Sequence, residues 1–309
     1  MSVLFVTSTS VGSGKTFFSY SLSQCLINQN KIVELIHLVP DQQNDLFDQS
    51  YVPDLLPSKI MSVNEFNLSI NELDQNKNLI VKVSHHISLD ELKTVVQNCQ
   101  GKIISVLDFS NCVDQIQYLS ELGDELCGVV VNFVTKFGES NLTEDIIPSF
   151  VKSNISVLAT IPENRTLLSL TVQQISDILG ARFFNGNDYS NQLVEHYMVG
   201  GFGMDPGEMI FNTLDDKAVI VRGDRPDVQM SALSTEMSCF IMTGGLEPIE
   251  YVKYEANEEQ VPILVVDSNT LDTMDRINEI QNFSKFDHPK KLNVGCELVT
   301  DNFNFEVLS

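Results

Sequence analysis

Short apolar runs rich in β-branched residues alternate along the chain with segments whose apolar residues recur at helical spacing. This alternation is typical of βαβ units, in which helices connect parallel strands. The first part of the chain contains candidate strands at Val3–Thr7, Ile32–Leu38, Leu79–Val83, Ile103–Leu107, Val129–Phe133 and Ser156–Ile161. Helical spacing lies between them at Lys15–Ile27, Ser88–Gln97, Val113–Leu122 and Glu144–Lys152. The pattern predicts an α/β fold, a parallel sheet with helices on both faces.

A segment dense in turn formers, Phe184–Asn191, follows this pattern and predicts a domain boundary. Beyond it a smaller α/β pattern begins. Candidate strands at Ala218–Val221, Cys239–Met242 and Ile263–Val266 alternate there with helical runs at Asp227–Ser234, Pro248–Glu259 and Thr270–Phe283. The 309 residues therefore divide into two predicted domains, residues 1–187 and 188–309.

Charge narrows the choice of partners. The chain has 42 acidic against 19 basic residues and a formal net charge of −23, whereas polyanions are bound by clustered Lys and Arg. We therefore expect neither nucleic acid nor an anionic membrane as a partner. The six cysteines are scattered singly, and no apolar run approaches the roughly 18 residues of a membrane span. A reducing, cytoplasmic location is the expectation.

The strongest chemical signal is a loop of small residues between the first strand and the first helix. Gly12 and Gly14 would let backbone N–H groups approach a phosphate, and the helix N-terminus adds positive potential. Lys15 would neutralise the outer phosphates, and the Thr16 hydroxyl would coordinate Mg²⁺. The predicted nucleotide-binding residues here are Thr9, Ser10, Val11, Gly12, Ser13, Gly14, Lys15 and Thr16.

One position departs from the strict phosphate-loop pattern G-x-x-x-x-G-K-[ST]. That pattern requires glycine where the chain has Thr9. A Gly- and Ser-rich turn that merely connects the strand to the helix is the alternative interpretation.

Several polar residues lie in or after the other candidate strands. Asn132 interrupts an apolar strand, so its buried amide needs a partner, either the edge of an adenine ring or neighbouring backbone. His37 is interpreted as a packed strand histidine or an anion contact, and His85-His86 as a loop contact near phosphate rather than a metal pair. Acidic residues that could hold Mg²⁺, or simply be solvated, are Asp41, Asp45 and Asp48. Asp108 follows a strand, as a site residue or a helix N-cap.

Together these elements resemble the dethiobiotin synthetase-like P-loop proteins, a family that also forms the N-terminal region of long phosphate acetyltransferases. Phe5–Thr9 and Ser13–Thr16 match the phosphate loop of that family, and Val157–Leu168 resembles the segment that closes its domain. Gly128–Val134 resembles the strand whose Asn binds adenine. The resemblance implies that Asn132 contacts adenine and that ATP or ADP binds with Mg²⁺.

The second half of the chain resembles the DRTGG domain, through Val219–Asp227 and Ile241–Pro248. The motif residues are Asp224, Arg225, Asp227, Thr243, Gly244 and Gly245. Their loops should lie side by side, either as an anion or small-ligand site or as a structural contact fixed by an Asp224–Arg225 ion pair. Within the family this domain is associated with regulation and self-association, which implies a homo-oligomer, a dimer.

Other features of the family do not occur here. Dethiobiotin synthetases use Lys-Pro after the second strand and an acid after the third, whereas this chain reads Leu35–Pro40 without Lys and Ile80–His86 without Glu. The acetyltransferase domain is also expected to be absent. The sequence therefore predicts a nucleotide-binding regulatory or accessory protein, at most a weak ATPase, whose partner could be a separately encoded acyltransferase. The alternatives are an ATP-dependent ligase of the dethiobiotin or cobyrinate-amidation type and an interaction protein with a vestigial loop.

Overall fold

The computed structural model describes residues 2–41, 53–70, 76–201 and 207–308. The chain divides into two units, one formed by Met1–Asn164 with Phe286–Ser309 and the other by Arg165–Lys285. This division differs from the predicted boundary between residues 187 and 188, because the second unit begins earlier and the C-terminal segment returns to the first unit.

The described part of the first unit contains a seven-stranded sheet in which every pair of neighbouring strands is parallel. The strands are β1 Ser2–Thr7, β2 Val33–Val39, β3 Ser58–Ser62, β4 Asn78–Val83, β5 Lys102–Asp108, β6 Leu126–Val134 and β7 Val157–Pro162. Their order in the sheet is β3-β2-β4-β1-β5-β6-β7. The helices are α1 Lys15–Asn28, α2 Val63–Ser69, α3 Leu89–Asn98, α4 Ile116–Glu121, α5 Glu139–Asn141 and α6 Ile147–Lys152.

Successive side chains of β1 point to opposite faces of the sheet, and each face is covered by a layer of helices. Val3 and Phe5 point into a buried cluster that includes residues of α2 and α3, and the Phe5 ring lies 5.8 Å from that of Phe66. The opposite face is covered by α1, where the hydroxyl of Tyr20 lies 3.0 Å from His37 on β2. The predicted α/β fold with helices on both faces of a parallel sheet is confirmed. Because the strands are parallel, the loops after β1, β4, β5 and β6 leave from one edge of the sheet.

The second unit, Arg165–Lys285, has its own smaller sheet. Its helices are α7 Arg165–Leu168, α8 Val172–Leu179, α9 Gly207–Phe211, α10 Pro226–Leu233, α11 Glu250–Glu258 and α12 Thr270–Asn278. Its strands are β8 Leu170–Thr171, β9 Arg182–Asn185, β10 Leu193–Val194, β11 His196–Val199, β12 Lys217–Arg222, β13 Cys239–Thr243 and β14 Ile263–Val265. Among the described residues, β11-β12-β13-β14 are parallel neighbours and β9 closes the sheet antiparallel to β14, while β8 pairs with β10.

The last helix, α13 Pro289–Asn302, belongs to the first unit. It packs along α1 at close range, since a Cβ on Gly295 would lie 2.2 Å from the hydroxyl of Ser21. The Sγ atoms of Cys25 and Cys296 are 2.9 Å apart across the same contact. Only a residue without a side chain lets the two helices approach this closely. Among the described residues, α1 and α13 are the longest helices at 14 residues each, and none has the length and apolar character to cross a bilayer.

Candidate functional site

The loop after β1 turns sharply between the strand and helix α1. Gly12 and Gly14 adopt positive φ angles of 85° and 94°, which bend the backbone between the strand and the helix. Ser13 is buried and its hydroxyl donates to the carbonyl of Ser10 at 3.2 Å, whereas Val11 at the tip is 85% exposed. The Thr9 hydroxyl oxygen is buried without a hydrogen-bond partner among the described residues. This arrangement leaves a donor for a bound anion at the position where the strict pattern has glycine.

Asn132 fixes the base of this loop. Its side-chain amide donates to the carbonyl of Ser13 at 3.0 Å, and a Cβ on Gly14 would lie 2.0 Å from the same nitrogen. The sequence left adenine and neighbouring backbone open as partners of this buried amide, and the structure shows a backbone partner. A contact between Asn132 and adenine stays a prediction.

Two lysines meet where α1 begins. Lys15 is buried, and its ammonium donates to the backbone carbonyl of Val83 at the end of β4. Lys82, the preceding residue of that strand, donates to the Thr16 hydroxyl at 3.1 Å. Burial, and then repulsion by Lys82, lowers the pKa of Lys15 to about 7, and burial lowers the pKa of Lys82 to about 8. Two cationic side chains with depressed pKa values beside a helix N-terminus form a site that an anion would stabilise.

The two histidines near the loop have different hydrogen-bond surroundings. Nε2 of His85 lies 3.4 Å from the Ser8 hydroxyl, while the backbone N–H of His86 donates to Ser84. Partial burial, and then the charge of Lys15, keeps the pKa of His85 below its usual value. Among the described residues, no cluster of three His, Cys, Asp or Glu side chains could hold a metal ion.

His37 lies directly opposite Lys82 in the register between β2 and β4. It is 2% exposed, and its Nε2 pairs with the Tyr20 hydroxyl. Burial, and then the charge of Lys82, lowers the pKa of His37 to about 3. His37 is therefore a packed, hydrogen-bonded strand histidine, which is one of its two interpretations from the sequence.

The acidic residues considered as Mg²⁺ ligands, where the structure describes them, accept hydrogen bonds from nearby protein groups. Asp41 accepts the backbone N–H of Asn64 in the first turn of α2, and Asp108 accepts the N–H and hydroxyl of Ser110 in a tight turn after β5. Asp108 is therefore not a helix N-cap. Asp45 and Asp48 lie outside the described residues.

In the second unit, the loops after β12 and β13 are in contact, as the motif spacing predicts. A Cβ on Gly223 would lie 2.1 Å from the carbonyl oxygen of Leu246. The expected Asp224–Arg225 ion pair is replaced by two others. Arg222 binds Asp224 with contacts of 2.9 and 2.6 Å, and Arg225 binds Asp227 with contacts of 3.0 and 2.9 Å.

The glycines of the Thr243–Gly245 segment use their N–H groups internally. Gly244 donates to the carbonyl of Ser268 and Gly245 to that of Val266, both at 2.8 Å. The hydroxyl of the fully buried Thr243 lies 2.9 Å from that of Thr270. These contacts tie the segment to the end of β14, so the structure gives these N–H groups a structural role and not that of an open anion nest.

Lys82 was not predicted as a site residue. In the sequence, this part of β4 differs from the resembling family by lacking an acidic residue. The available signal was a lone charged residue inside an otherwise apolar run, Leu79–Val83, because charged side chains are rarely buried without a function or a partner.

Comparison with known families agrees with this architecture. Residues 4–175 match the CobQ/CobB/MinD/ParA nucleotide binding domain, and residues 174–280 match the DRTGG domain. The chain is 27% identical over 216 residues to a phosphate acetyltransferase of Nitratidesulfovibrio vulgaris, which covers 66% of this chain and 30% of that protein. The chain thus corresponds to under a third of that relative's length.

Two solved structures show a low overall similarity to the chain. The MinD cell division protein of Aquifex aeolicus has a TM-score of 0.40 at 16% identity, covering 54% of this chain and 84% of MinD. The CBS and DRTGG domains of the regulatory region of Clostridium perfringens pyrophosphatase, complexed with diadenosine tetraphosphate, have a TM-score of 0.32 at 12% identity, covering 50% and 74%.

Proposed function

The chain belongs to the CobQ/CobB/MinD/ParA nucleotide-binding domain family, and we propose that it is a nucleotide-binding regulatory or accessory protein of the cytoplasm. ATP or ADP binds the loop between β1 and α1. The DRTGG domain reports the bound state through self-association or through a partner.

The observation that carries this proposal is the cationic end of α1. Buried Lys15, half-buried Lys82 and the N-terminus of a 14-residue helix lie beside the loop of Thr9, whose hydroxyl has no hydrogen-bond partner in the part of the chain that the structure describes. Nucleoside polyphosphates supply the negative charge and acceptor oxygens that such a site lacks. The chain has a net charge of −23, so this local concentration of positive charge is exceptional and favours binding of an anion.

Mg²⁺ on Thr16 stays a prediction, and the residues around Thr16 fit it poorly. The hydroxyl oxygen that would bind the metal already accepts a hydrogen bond from an ammonium group. Mg²⁺ in nucleotide sites is usually held by carboxylates, waters and phosphate oxygens, and the described residues place Lys82 here. No step of the proposed function is therefore routed through a metal ion.

Titration calorimetry with ATP and with ADP tests the proposal. We expect binding by the native protein and a loss of about 10- to 150-fold in affinity for Lys15→Ala, the range for one charge-assisted hydrogen bond. Lys102→Ala is the matched control, because Lys102 is an exposed lysine at the opposite end of the neighbouring strand β5. An absence of heat with either nucleotide at millimolar concentration would refute nucleotide binding.

An ATP-dependent ligase of the dethiobiotin or cobyrinate-amidation type is the competing function. Such an enzyme would release phosphate from ATP in the presence of a substrate, whereas the regulatory proposal predicts bound and unchanged nucleotide. The two functions are separated by incubating the protein with ATP and candidate carboxylic acids and then measuring the released phosphate and the remaining ATP. Substrate-dependent phosphate release would replace the regulatory proposal with the ligase.

The second unit is proposed to mediate a dimer. The likeness to part of a phosphate acetyltransferase further supports a separately encoded acyltransferase as partner. Light scattering of the full chain tests the first point, because a single chain has a mass of 34.6 kDa. A mass of one chain at every protein concentration, with and without nucleotide, would contradict self-association.

A further inference from the structure

Lys82 occupies a position that has consequences for the kind of nucleotide bound. β4 lies next to β1 in the sheet, so its C-terminal end flanks the phosphate loop. Val81 and Val83 face the buried cluster on one side of the sheet. Lys82 therefore points to the other side, where its ammonium lies 3.1 Å from the Thr16 hydroxyl.

The second cation of the site is held by the same strand end. Lys15 donates to the backbone carbonyl of Val83, the residue that follows Lys82. Both ammonium groups are thus fixed by hydrogen bonds between α1 and β4, that of Lys15 to Val83 and that of Lys82 to Thr16. Fixed cations at this point supply the charge that a metal ion otherwise brings to a bound polyphosphate.

The Thr16 hydroxyl is the protein atom expected to bind a divalent cation in a loop of this type. Here that oxygen faces a positive charge, and a metal ion in contact with it would be repelled by Lys82. We propose that Lys82 replaces the divalent cation, so that the loop binds a metal-free nucleoside di- or triphosphate between the ammonium groups of Lys15 and Lys82. This inference rests on the proposed nucleotide binding.

The inference separates binding from turnover. Phosphoryl transfer needs a cation that follows the developing charge between the β- and γ-phosphates, usually Mg²⁺. A tethered ammonium at Thr16 neutralises the ground-state charge but has neither the double charge nor the coordination shell of Mg²⁺. A site of this kind holds the nucleotide without cleaving it, as a regulatory function requires.

Calorimetric titration of the full chain with ATP, in EDTA and separately in excess MgCl₂, tests the inference. The native protein should bind ATP in EDTA at least as tightly as in MgCl₂. Lys82→Met keeps the length of the side chain and removes its charge, so it should lose about 10-fold or more in affinity in EDTA and regain affinity when MgCl₂ is added. Lys82→Arg should keep metal-independent binding, and Lys102→Met is the control for loss of a lysine.

The outcomes are distinct. Native binding that is 10-fold weaker in EDTA than in MgCl₂ would overturn the inference and leave the proposed function standing. Unchanged ATP binding by Lys82→Met in EDTA would overturn it as well, provided that its circular dichroism spectrum shows the native fold. If Lys82→Met does not fold, the comparison of EDTA with MgCl₂ in the native protein and in Lys82→Arg decides. Failure of the native protein to bind in either buffer would refute both proposals.

Discussion

Acidification should destabilise this protein through one buried imidazole. His37 is 2% exposed on β2, and its pKa is lowered to about 3 by burial and then by Lys82, against 6.5 for an ordinary histidine. Because the folded pKa is depressed, the unfolded chain takes up the proton first as the pH falls. The neutral imidazole therefore contributes stability that is complete above pH 6.5 and is lost progressively toward pH 3.

The magnitude follows from the difference between the two pKa values. Each pH unit below 6.5 costs about 1.36 kcal/mol of unfolding free energy until the folded state also titrates. Between pH 7 and pH 5 the loss should be about 2 kcal/mol from this residue alone. The groups that face it are the Tyr20 hydroxyl from α1 and the ammonium of Lys82 from β4, which stays protonated over this range.

The assay compares urea unfolding at pH 7 and pH 5, in EDTA and without nucleotide, for the native protein and His37→Leu. Between pH 7 and pH 5 the unfolding free energy of the native protein should fall by about 2 kcal/mol more than that of the variant. The lost hydrogen bond to Tyr20 affects the variant equally at both pH values and cancels. His86→Gln, at an exposed histidine of the β4–α3 loop, is the control and should behave as the native protein.

Equal losses in the native protein and His37→Leu would refute the reasoning. So would an NMR titration in which the His37 ring protonates near pH 6.5 while the protein remains folded.

Two further predictions concern the packing around α1. Gly14→Ala should destabilise the protein by about 2–4 kcal/mol in urea unfolding, because its Cβ would meet the Asn132 amide and its φ is positive. Gly12→Ala, which has a similar φ and open space around it, should cost only about 1–2 kcal/mol, and equal costs would contradict the clash. Mild oxidation should join Cys25 to Cys296, which lie 271 residues apart in sequence, and peptide mass mapping should find this disulfide. The reaction should be slow, because burial raises the pKa of Cys25 to about 12, and two free thiols after prolonged oxidation would contradict the prediction.

The elements that sequence patterns predicted well are those with continuous apolar character. The six strands expected in the first part of the chain and the three expected in the second are all present, with ends shifted by up to about three residues. Edge strand β3, Ser58–Ser62, was missed because its residues are only partly buried and lack an apolar run. Helix α13 was missed and its segment assigned to the second domain, because only its tertiary contact with α1 places it in the first unit.

The candidate site shows the same limit. The loop from Thr9 to Thr16 was recognisable because its chemistry is contiguous in sequence. Lys82 lies 66 residues from Thr16, and only the parallel pairing of β1 with β4 brings them together. The pairing of Arg222 with Asp224 and of Arg225 with Asp227 was equally unpredictable, since adjacent charges in a turn have several compatible partners.

The return of α13 to the first unit makes the second unit an insertion, entered at Arg165 and left at Lys285. When such a unit unfolds by itself, its two ends stay anchored and the released chain must form a closed loop. Holding both ends of the segment Arg165–Lys285 raises the free energy of its unfolded state by about 5 kcal/mol, on the order of what a disulfide across a loop of this length contributes. The first unit therefore holds both ends of the second unit, and it holds the C-terminal end through the packing of α13 along α1. Removing α13 would release that end, so a C-terminal truncation should lower the stability of the DRTGG domain without deleting a residue of it.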